Sequence, residues 1–200
     1  MFLLALALTA ALDVPRSTAP VIDGTIAAEE WKGARRVELT NGGHALLLHD
    51  GTFLYIALRG PRTGIASLCM PQGNDVAILH ASAALGTAVF KDGLVTREFV
   101  WTNRDTKDTA ARDKFLAAEH WFANATPRGH VDREIQIAID GRKEIPLTIA
   151  FLSFAPNEEQ RIHVWPAALA DACASMELAS GKTEGTLEFD RETWGVLRLR

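Results

Sequence analysis

The chain has 200 residues, of which 48% are apolar and 23% charged, and this ordinary globular composition excludes a disordered chain. Its net charge is −4 and its 21 basic residues are scattered along the sequence, which argues against a surface for nucleic acid. We expect one domain with one sizeable core, because no internal repeat or linker divides the sequence.

The first residues, Met1–Leu12, form an uncharged apolar run that is too short to cross a bilayer as a helix. Small residues at its end suit a signal peptidase, although the usual basic residue near the start is missing. A buried strand or helix is the alternative. We expect residues 1–12 to be an export signal and residues 13–200 to be the folded domain. That domain would be secreted or periplasmic, with no membrane span in the mature chain.

Short runs of β-branched and aromatic residues, separated by turn residues, predict a protein built mainly of strands. Two turn dipeptides, Asp50-Gly51 and Asp92-Gly93, each lie between two such runs and predict hairpins. The expected strands are His44–His49, Phe53–Leu58, Val76–Ser82, Gly86–Lys91, Leu94–Val100, Arg133–Ile139, Leu147–Phe154 and Trp194–Arg200.

Two segments have helical features. In Thr109–Ala123, apolar residues recur at the spacing of one helix face, and Pro166–Cys173 starts with a proline that suits the first position of a helical turn. Many short strands with hairpin turns and little helix indicate an all-β fold. We expect an antiparallel β-sandwich with one inserted α-helix and a short helical turn.

Glu134 lies within the isoleucine-rich run Arg133–Ile139. Because side chains alternate between the two faces of a strand, we expect Glu134 to point outward while Ile135 and Ile137 point into the core. Its type suits a general acid, but a glycosidase needs a second carboxylate facing it across a cleft. The sequence motifs of serine hydrolases, zinc proteases and dinucleotide-binding enzymes are missing, so we expect a binding protein and not an enzyme.

Several segments share residue types and order with a known group of β-sandwich domains. They are Ile22-Asp23-Gly24-Thr25-Ile26, Glu30-Trp31-Lys32-Gly33-Ala34, Leu47–Asp50 with Phe53-Leu54-Tyr55-Ile56-Ala57, Arg133–Ile139, Ile149–Ala155, Trp165-Pro166 and Trp194-Gly195. Over roughly residues 20–200, this order resembles family-9-type carbohydrate-binding modules and the related DOMON-like domains. The resemblance implies a sandwich that binds carbohydrate, with a pair of tryptophans around a terminal sugar.

Sugar binding of this kind uses aromatic rings stacked on the apolar faces of pyranoses, with polar side chains bonding the hydroxyls. We expect Trp31 to be a core residue, since it follows a turn and packs back over the sandwich. For each other candidate tryptophan, core packing is the alternative to ligand contact. The candidate ligand-binding residues are Trp101, Asn103, Arg104, Trp121, His163 and Trp165.

Two other ligands are alternatives. Some DOMON-like domains bind haem b, and Met70, in a stretch that we expect to be a loop, could pair with His80, His120 or His163 as axial ligand. Structural calcium is the other, although turn chemistry explains the aspartates that precede glycines. A third function is interaction with a protein partner.

Cys69 and Cys173 are the two cysteines of the chain. They would suit an exported protein if they paired, and two buried thiols are the alternative. Neither belongs to a redox or haem-attachment motif.

Overall fold

A computed structural model describes residues 11–103, 108–124 and 132–200. They form two β-sheets with little helix, so the expected all-β sandwich is confirmed. Within these residues, no helix is long and apolar enough to cross a membrane.

The element bounds define the labels used below. The strands are β1 (Ala11–Val14), β2 (Arg35–Glu38), β3 (His44–His49), β4 (Phe53–Arg59), β5 (Gly64–Gln72), β6 (Asp75–Ala81), β7 (Ala84–Lys91), β8 (Leu94–Arg97), β9 (Thr102–Asn103), β10 (Trp121–Ala123), β11 (Asp132–Ala138), β12 (Glu144–Ser153), β13 (Arg161–Trp165) and β14 (Gly195–Leu199). The α-helices are α1 (Thr109–Glu119) and α2 (Met176–Ala179), and short 3-10 helices lie at Thr40–Gly42, Ala172–Ala174 and Arg191–Thr193.

The larger sheet has nine strands, in the order β1-β14-β12-β5-β6-β7-β8, with β13 also paired to β12 and β9 to β7. The smaller sheet has the order β10-β11-β4-β3-β2. Named strands pair antiparallel except β1 with β14. Both predicted hairpins are present: β3–β4 around Asp50-Gly51, and β7–β8 around Asp92-Gly93, whose two residues have φ of 49° and 78°.

The core lies between the inner faces of the two sheets. In β11, Ile135 and Ile137 face the larger sheet and are paired with Ile56 and Leu54 of β4, and all four are buried. The period of two along each strand therefore puts alternate apolar residues into this layer.

The outer face of the larger sheet is covered by residues 166–194, named here the C-terminal cover. Leu178 of α2 and Trp194 are buried with Ile78 and Phe90 of the sheet in a second apolar cluster. The larger sheet therefore has apolar side chains on both faces, as a sheet buried on both sides requires.

A disulfide between Cys69 and Cys173 joins β5 to the C-terminal cover. Their Cα atoms are 6.2 Å apart, and the bond closes a sequence separation of 104 residues. In the chain-entropy model, closing a loop of this length stabilises the fold by roughly 4–5 kcal/mol.

The outer face of the smaller sheet is covered by residues 22–34, named here the N-terminal cover. Trp31 is only 4% exposed, as expected of a core residue. Its indole Nε1 donates a hydrogen bond of 3.0 Å to Glu134 Oε1, while the amides of Asp23 and Gly24 donate to Glu134 Oε2 at 3.1 and 2.7 Å. A single carboxylate on β11 therefore fixes both ends of the cover.

Glu134 points outward, as its alternation with the isoleucines predicted, but the N-terminal cover buries the face on which it lies. Its side chain is 0% exposed, and burial raises the pKa of its carboxyl to about 7, although hydrogen bonds from the N-terminal cover oppose that rise.

Other boundaries also differ from those expected. The helix expected over 109–123 ends at Glu119, and Trp121–Ala123 form β10 instead. Pro166 begins a single hydrogen-bonded turn, in which the amide of Leu169 donates to the Pro166 carbonyl at 3.0 Å. No continuous helical segment runs from there to Cys173, and the first helical residues of the cover are Ala172–Ala174. Met70, expected in a loop, lies in β5.

The described chain begins with a strand. Ala11–Val14 form a strand that pairs with β14, and Val14 is fully buried. This strand is an edge of the larger sheet, and the expected boundary after residue 12 falls inside it. Residues 1–10 lie outside the described residues.

Candidate functional site

The candidate site lies at the end of the sandwich where α1 stops. Asp108 caps the start of this helix by accepting a hydrogen bond of 2.9 Å from the amide of Ala111. At its other end, His120 adopts the left-handed conformation, with φ of 61°, and its amide donates to the carbonyl of Leu116 at 2.9 Å. This cap stops the helix and lets the chain turn directly into β10.

The β11–β12 hairpin faces the helix end. Its tight turn is Asp140-Gly141, with φ of 51° and 76°, and Arg142 donates its amide to the carbonyl of Ile139 at 3.0 Å. The carboxylate of Asp140 lies 3.6 Å from Nδ1 of His120 and 3.7 Å from Arg142 Nη2. The helix cap and the hairpin turn thus bring three polar side chains to one rim.

A cleft of about 440 Å³ opens beneath that rim, between the inner faces of the sheets. Its size lies within the usual range for small-molecule pockets. Its floor and wall are mainly apolar, and its rim is mainly charged. Its lining includes Met70, Ala77, Leu79, Thr87, Trp121 and Ile137 below and Arg97, Glu119, His120, Asp140 and Arg142 at the rim.

Trp121 forms a fixed wall of the cleft. Its ring is 0% exposed, and its Nε1 donates to Thr87 Oγ1 on β7 at 2.8 Å, which ties β10 to the larger sheet. Phe115 of α1 packs edge-on against it, with ring centroids 5.4 Å apart. The wall is therefore rigid, but the buried indole presents no broad stacking face.

The rim has balanced charge. Arg97 of β8 forms a salt bridge with Glu119, the last residue of α1, and Arg142 lies close to Asp140. These two guanidinium groups and two carboxylates supply hydrogen-bond donors and acceptors side by side. Such a rim suits a neutral polar ligand better than a strongly charged one.

A second depression, named here the side pocket, adjoins the cleft and measures about 570 Å³. It shares His120 and Asp140 with the cleft. Its lining also includes Thr52, Phe53, Asp113, Leu116, Ala117 and Gly141.

Trp101, the first predicted ligand platform, lies elsewhere. Its ring is 48% exposed, whereas the other four tryptophans are buried. It stacks on Phe99, with centroids 4.6 Å apart and planes 23° apart, and lies edge-on to His80 at 5.1 Å. It belongs to the outer side of the larger sheet, beside Gly86 and Gly181, so it does not contribute to the cleft.

The other predicted contacts do not converge on Trp101. His163 and Trp165 are buried in β13, and His163 is held by Ser153 at 2.8 Å and by the carbonyl of Thr40 at 3.0 Å. Burial also lowers the pKa of His163. Among the predicted site residues whose side chains the structure describes, Trp121 alone lines the cleft.

Two of the predicted residues cannot be placed at the site. Arg104 lies outside the described residues, and of Asn103 only the backbone, in β9, is described.

The histidines proposed as haem ligands also lie in different parts of the molecule. His80 is buried on the outer side, where its Nδ1 lies 3.0 Å from Ser67 Oγ and burial lowers its pKa to about 4. His120 and Met70 both line the cleft. Over the described part of the chain, no group of three or more histidine, cysteine or carboxylate side chains is arranged to hold a metal ion.

Comparison of the chain with family models, curated proteins and solved structures finds no match. The site therefore rests on its geometry. Sequence reasoning missed four of its rim residues: Arg97, Glu119, Asp140 and Arg142. The dipeptide Asp140-Gly141 after a predicted strand was a usable signal for the hairpin, but no sequence signal shows that α1 ends beside it.

Proposed function

We propose that this protein is an exported, non-catalytic binding protein that holds a carbohydrate in the cleft. The observation that carries the proposal is a concave site with an apolar floor and a rim of paired, opposite charges. The resemblance of the sequence to family-9-type carbohydrate-binding modules and DOMON-like domains supports the same class of ligand.

The chemistry of a sugar matches both parts of the site. Its hydroxyl groups donate and accept hydrogen bonds, so they can bond to the guanidinium of Arg97 and the carboxylate of Glu119 at once. Its C–H faces can rest on apolar side chains such as Met70 and Leu79, which lie on the floor. A strongly anionic or cationic ligand would meet as many like charges as opposite ones.

Export is supported by the disulfide between Cys69 and Cys173. Disulfides persist in oxidising compartments and are rare in a reducing cytosol. A secreted or periplasmic location would also expose the protein to extracellular saccharides.

A glycan array probed with the full chain tests the proposal, followed by calorimetric titration with soluble gluco-, xylo- and manno-oligosaccharides. Arg97→Ala removes a donor from the rim and should weaken binding by about tenfold. Trp101→Ala removes the exposed ring on the outer side and should leave the affinity unchanged. Both variants are checked for folding by circular dichroism.

The two variants distinguish a sugar site in the cleft from a sugar site at Trp101. Loss of binding with Trp101→Ala but not with Arg97→Ala would move the sugar site to the outer side. Failure of the folded wild type to bind any glycan would refute carbohydrate binding.

A second candidate function is haem b binding, favoured by the presence of Met70 and His120 in one cleft. Haem titration with absorbance near 400 nm checks it. Met70→Leu should abolish the absorbance shift, and Met176→Leu, which changes a 38% exposed methionine outside the cleft, should preserve it. The absence of any shift in the wild type would refute haem binding.

A further inference from the structure

We infer that the cleft and the side pocket are two subsites of one groove, which binds a saccharide chain of several units and not a single sugar. This inference rests on the proposed function and specifies its ligand. The observation behind it is that His120 and Asp140 belong to the linings of both depressions.

The divide between the subsites is low and open. His120 and Asp140 face each other at 3.6 Å, and their side chains are 66% and 55% exposed. Both residues are held in the left-handed region of the backbone, one by the helix cap and the other by the hairpin turn. An extended ligand can therefore lie across His120 and Asp140 and form hydrogen bonds with both side chains. If other residues covered this pair, a ligand could not extend from one depression to the other.

The end of α1 is the common wall of the groove. Ala118 and Glu119 line the cleft, and Ala117 and Leu116 line the side pocket. Consecutive residues of one helix turn thus line the two depressions, and each lining includes one small alanine side chain from this turn. Both alanines are solvent-exposed.

The side pocket carries the features that a second sugar subsite needs. Phe53 is partly exposed and supplies an aromatic surface, which Tyr55 supports at a centroid distance of 6.2 Å. Asp50 fixes the start of this strand, since its Oδ1 accepts from the amides of Thr52 and Phe53 at 2.6 and 2.7 Å. Its Oδ2 accepts from the Tyr55 hydroxyl at 2.9 Å. Phe53 is therefore held in place before any ligand arrives, which lowers the entropy lost on binding.

The side pocket, like the cleft, also has polar residues in its lining. Asp113 of α1 and Thr52 of the β3–β4 turn both line it. They can bond to hydroxyl groups while a pyranose face rests on Phe53. The cleft then holds one unit of the chain and the side pocket another.

The test uses chain length as the variable. Gluco-, xylo- and manno-oligosaccharides with β-1,4 linkages and one to four units are titrated calorimetrically into the wild type and three variants. Ala117→Trp adds bulk in the side pocket and Ala118→Trp adds bulk in the cleft. Ala110→Trp puts the same residue at an exposed position of the same helix that lines neither depression. In the wild type and in Ala110→Trp, we expect a tetrasaccharide to bind at least about tenfold more tightly than the monosaccharide.

Ala117→Trp should bind the monosaccharide with the same affinity as the wild type. In this variant, however, the tetrasaccharide should bind no more tightly than the monosaccharide. Phe53→Ala, which removes a side chain and adds no bulk, should also reduce the difference in affinity between the tetrasaccharide and the monosaccharide. Ala118→Trp should weaken binding at every length.

Equal affinity for one and four units, with binding still lost in Ala118→Trp, would overturn the groove and leave the proposed function standing. The groove would also be overturned if Ala117→Trp, like the wild type, bound the tetrasaccharide about tenfold more tightly than the monosaccharide. Absence of binding by every saccharide would remove the proposed function and the groove together.

Discussion

The two covers of the sandwich seal its outer faces by different chemistry. The C-terminal cover packs apolar side chains on the larger sheet and is joined to it by the Cys69–Cys173 disulfide. The N-terminal cover is held on the smaller sheet by three hydrogen bonds to the buried carboxylate of Glu134. One attachment is covalent and insensitive to protonation, whereas the other depends on a titratable group.

The difference teaches where a ligand can bind. Both covers bury the sheet faces that a simple sandwich would leave open, and each uses residues whose chemical type could serve a functional site. Glu134 and the cysteines serve the covers, whereas an open cleft lies at the end of the sandwich, where α1 stops beside the β11–β12 hairpin.

Replacing both cysteines by alanine should have the largest effect on the C-terminal cover. The free energy of unfolding should fall by roughly 4–5 kcal/mol, because the unfolded chain regains the entropy of the long loop. Guanidinium denaturation measures this loss, and adding a reductant should destabilise the wild type but not the variant. A loss below about 1 kcal/mol would show that apolar packing alone holds this cover.

Removing the Glu134 carboxylate that holds the N-terminal cover should have the next largest effect on stability. Glu134→Ala leaves two buried donors and one partly buried donor without their acceptor, so we expect a loss of about 3–4 kcal/mol in the free energy of unfolding. Glu144→Ala is the matched control, since this glutamate is exposed and forms a surface ion pair with Arg198. The control should change stability by less than about 0.5 kcal/mol. Equal effects of the two variants would contradict the role given to Glu134.

Two buried titratable groups, one on each side of the sandwich, should make stability respond to pH in opposite directions. The pKa of Glu134 is raised from 4.5 to about 7, so the folded state binds more protons than the unfolded state between these values. Its contribution to stability should therefore decline as the pH rises from 4.5 to 7. His80, beside Gly181 of the C-terminal cover, has a pKa lowered from 6.5 to about 4, so its contribution should decline as the pH falls across that range.

Denaturation profiles from pH 4 to 7.5 separate the two contributions. Glu134→Gln should remove the decline toward neutral pH and keep the decline toward acid, whereas His80→Gln should do the reverse. Profiles of the two variants that both parallel the wild type would contradict this assignment.

The smallest stability effect concerns the tip of the C-terminal cover. Gly181 has a φ of 90°, and a Cβ there would lie 3.2 Å from Trp101 Cη2 and 3.3 Å from His80 Cε1. Gly181→Ala should cost about 1–2 kcal/mol in unfolding free energy from backbone strain and crowding. Gly185→Ala isolates the strain, because its φ is 83° and nothing lies within 4 Å of the added Cβ. A larger loss at Gly185 than at Gly181 would contradict the contact with Trp101.

Much of the fold could be predicted from local patterns. Asp-Gly turns predicted the β3–β4 and β7–β8 hairpins, because positive φ at the turn is a local preference. The helix end could not be placed, since His120 and not a glycine takes the left-handed cap. The side of Glu134 was assigned correctly by alternation, but its burial depends on a cover more than a hundred residues earlier in the sequence.

The candidate site was harder to predict than the fold. Tryptophans were the natural candidates, yet Trp165 packs in the core and Trp101 lies on the outer side. The cleft instead collects Arg97, Glu119 and Arg142 from three separate elements. Tertiary packing brings these elements together, and each residue alone has the pattern of an ordinary surface charge.

The most direct test of the central claim is calorimetric titration of the strongest glycan from the array into the wild type, Ala118→Trp and Ala110→Trp. If the cleft is the binding site, the wild type and Ala110→Trp should bind with equal affinity, and Ala118→Trp should lose binding while remaining folded. Equal binding by all three proteins, or no binding by any of them, would contradict the account.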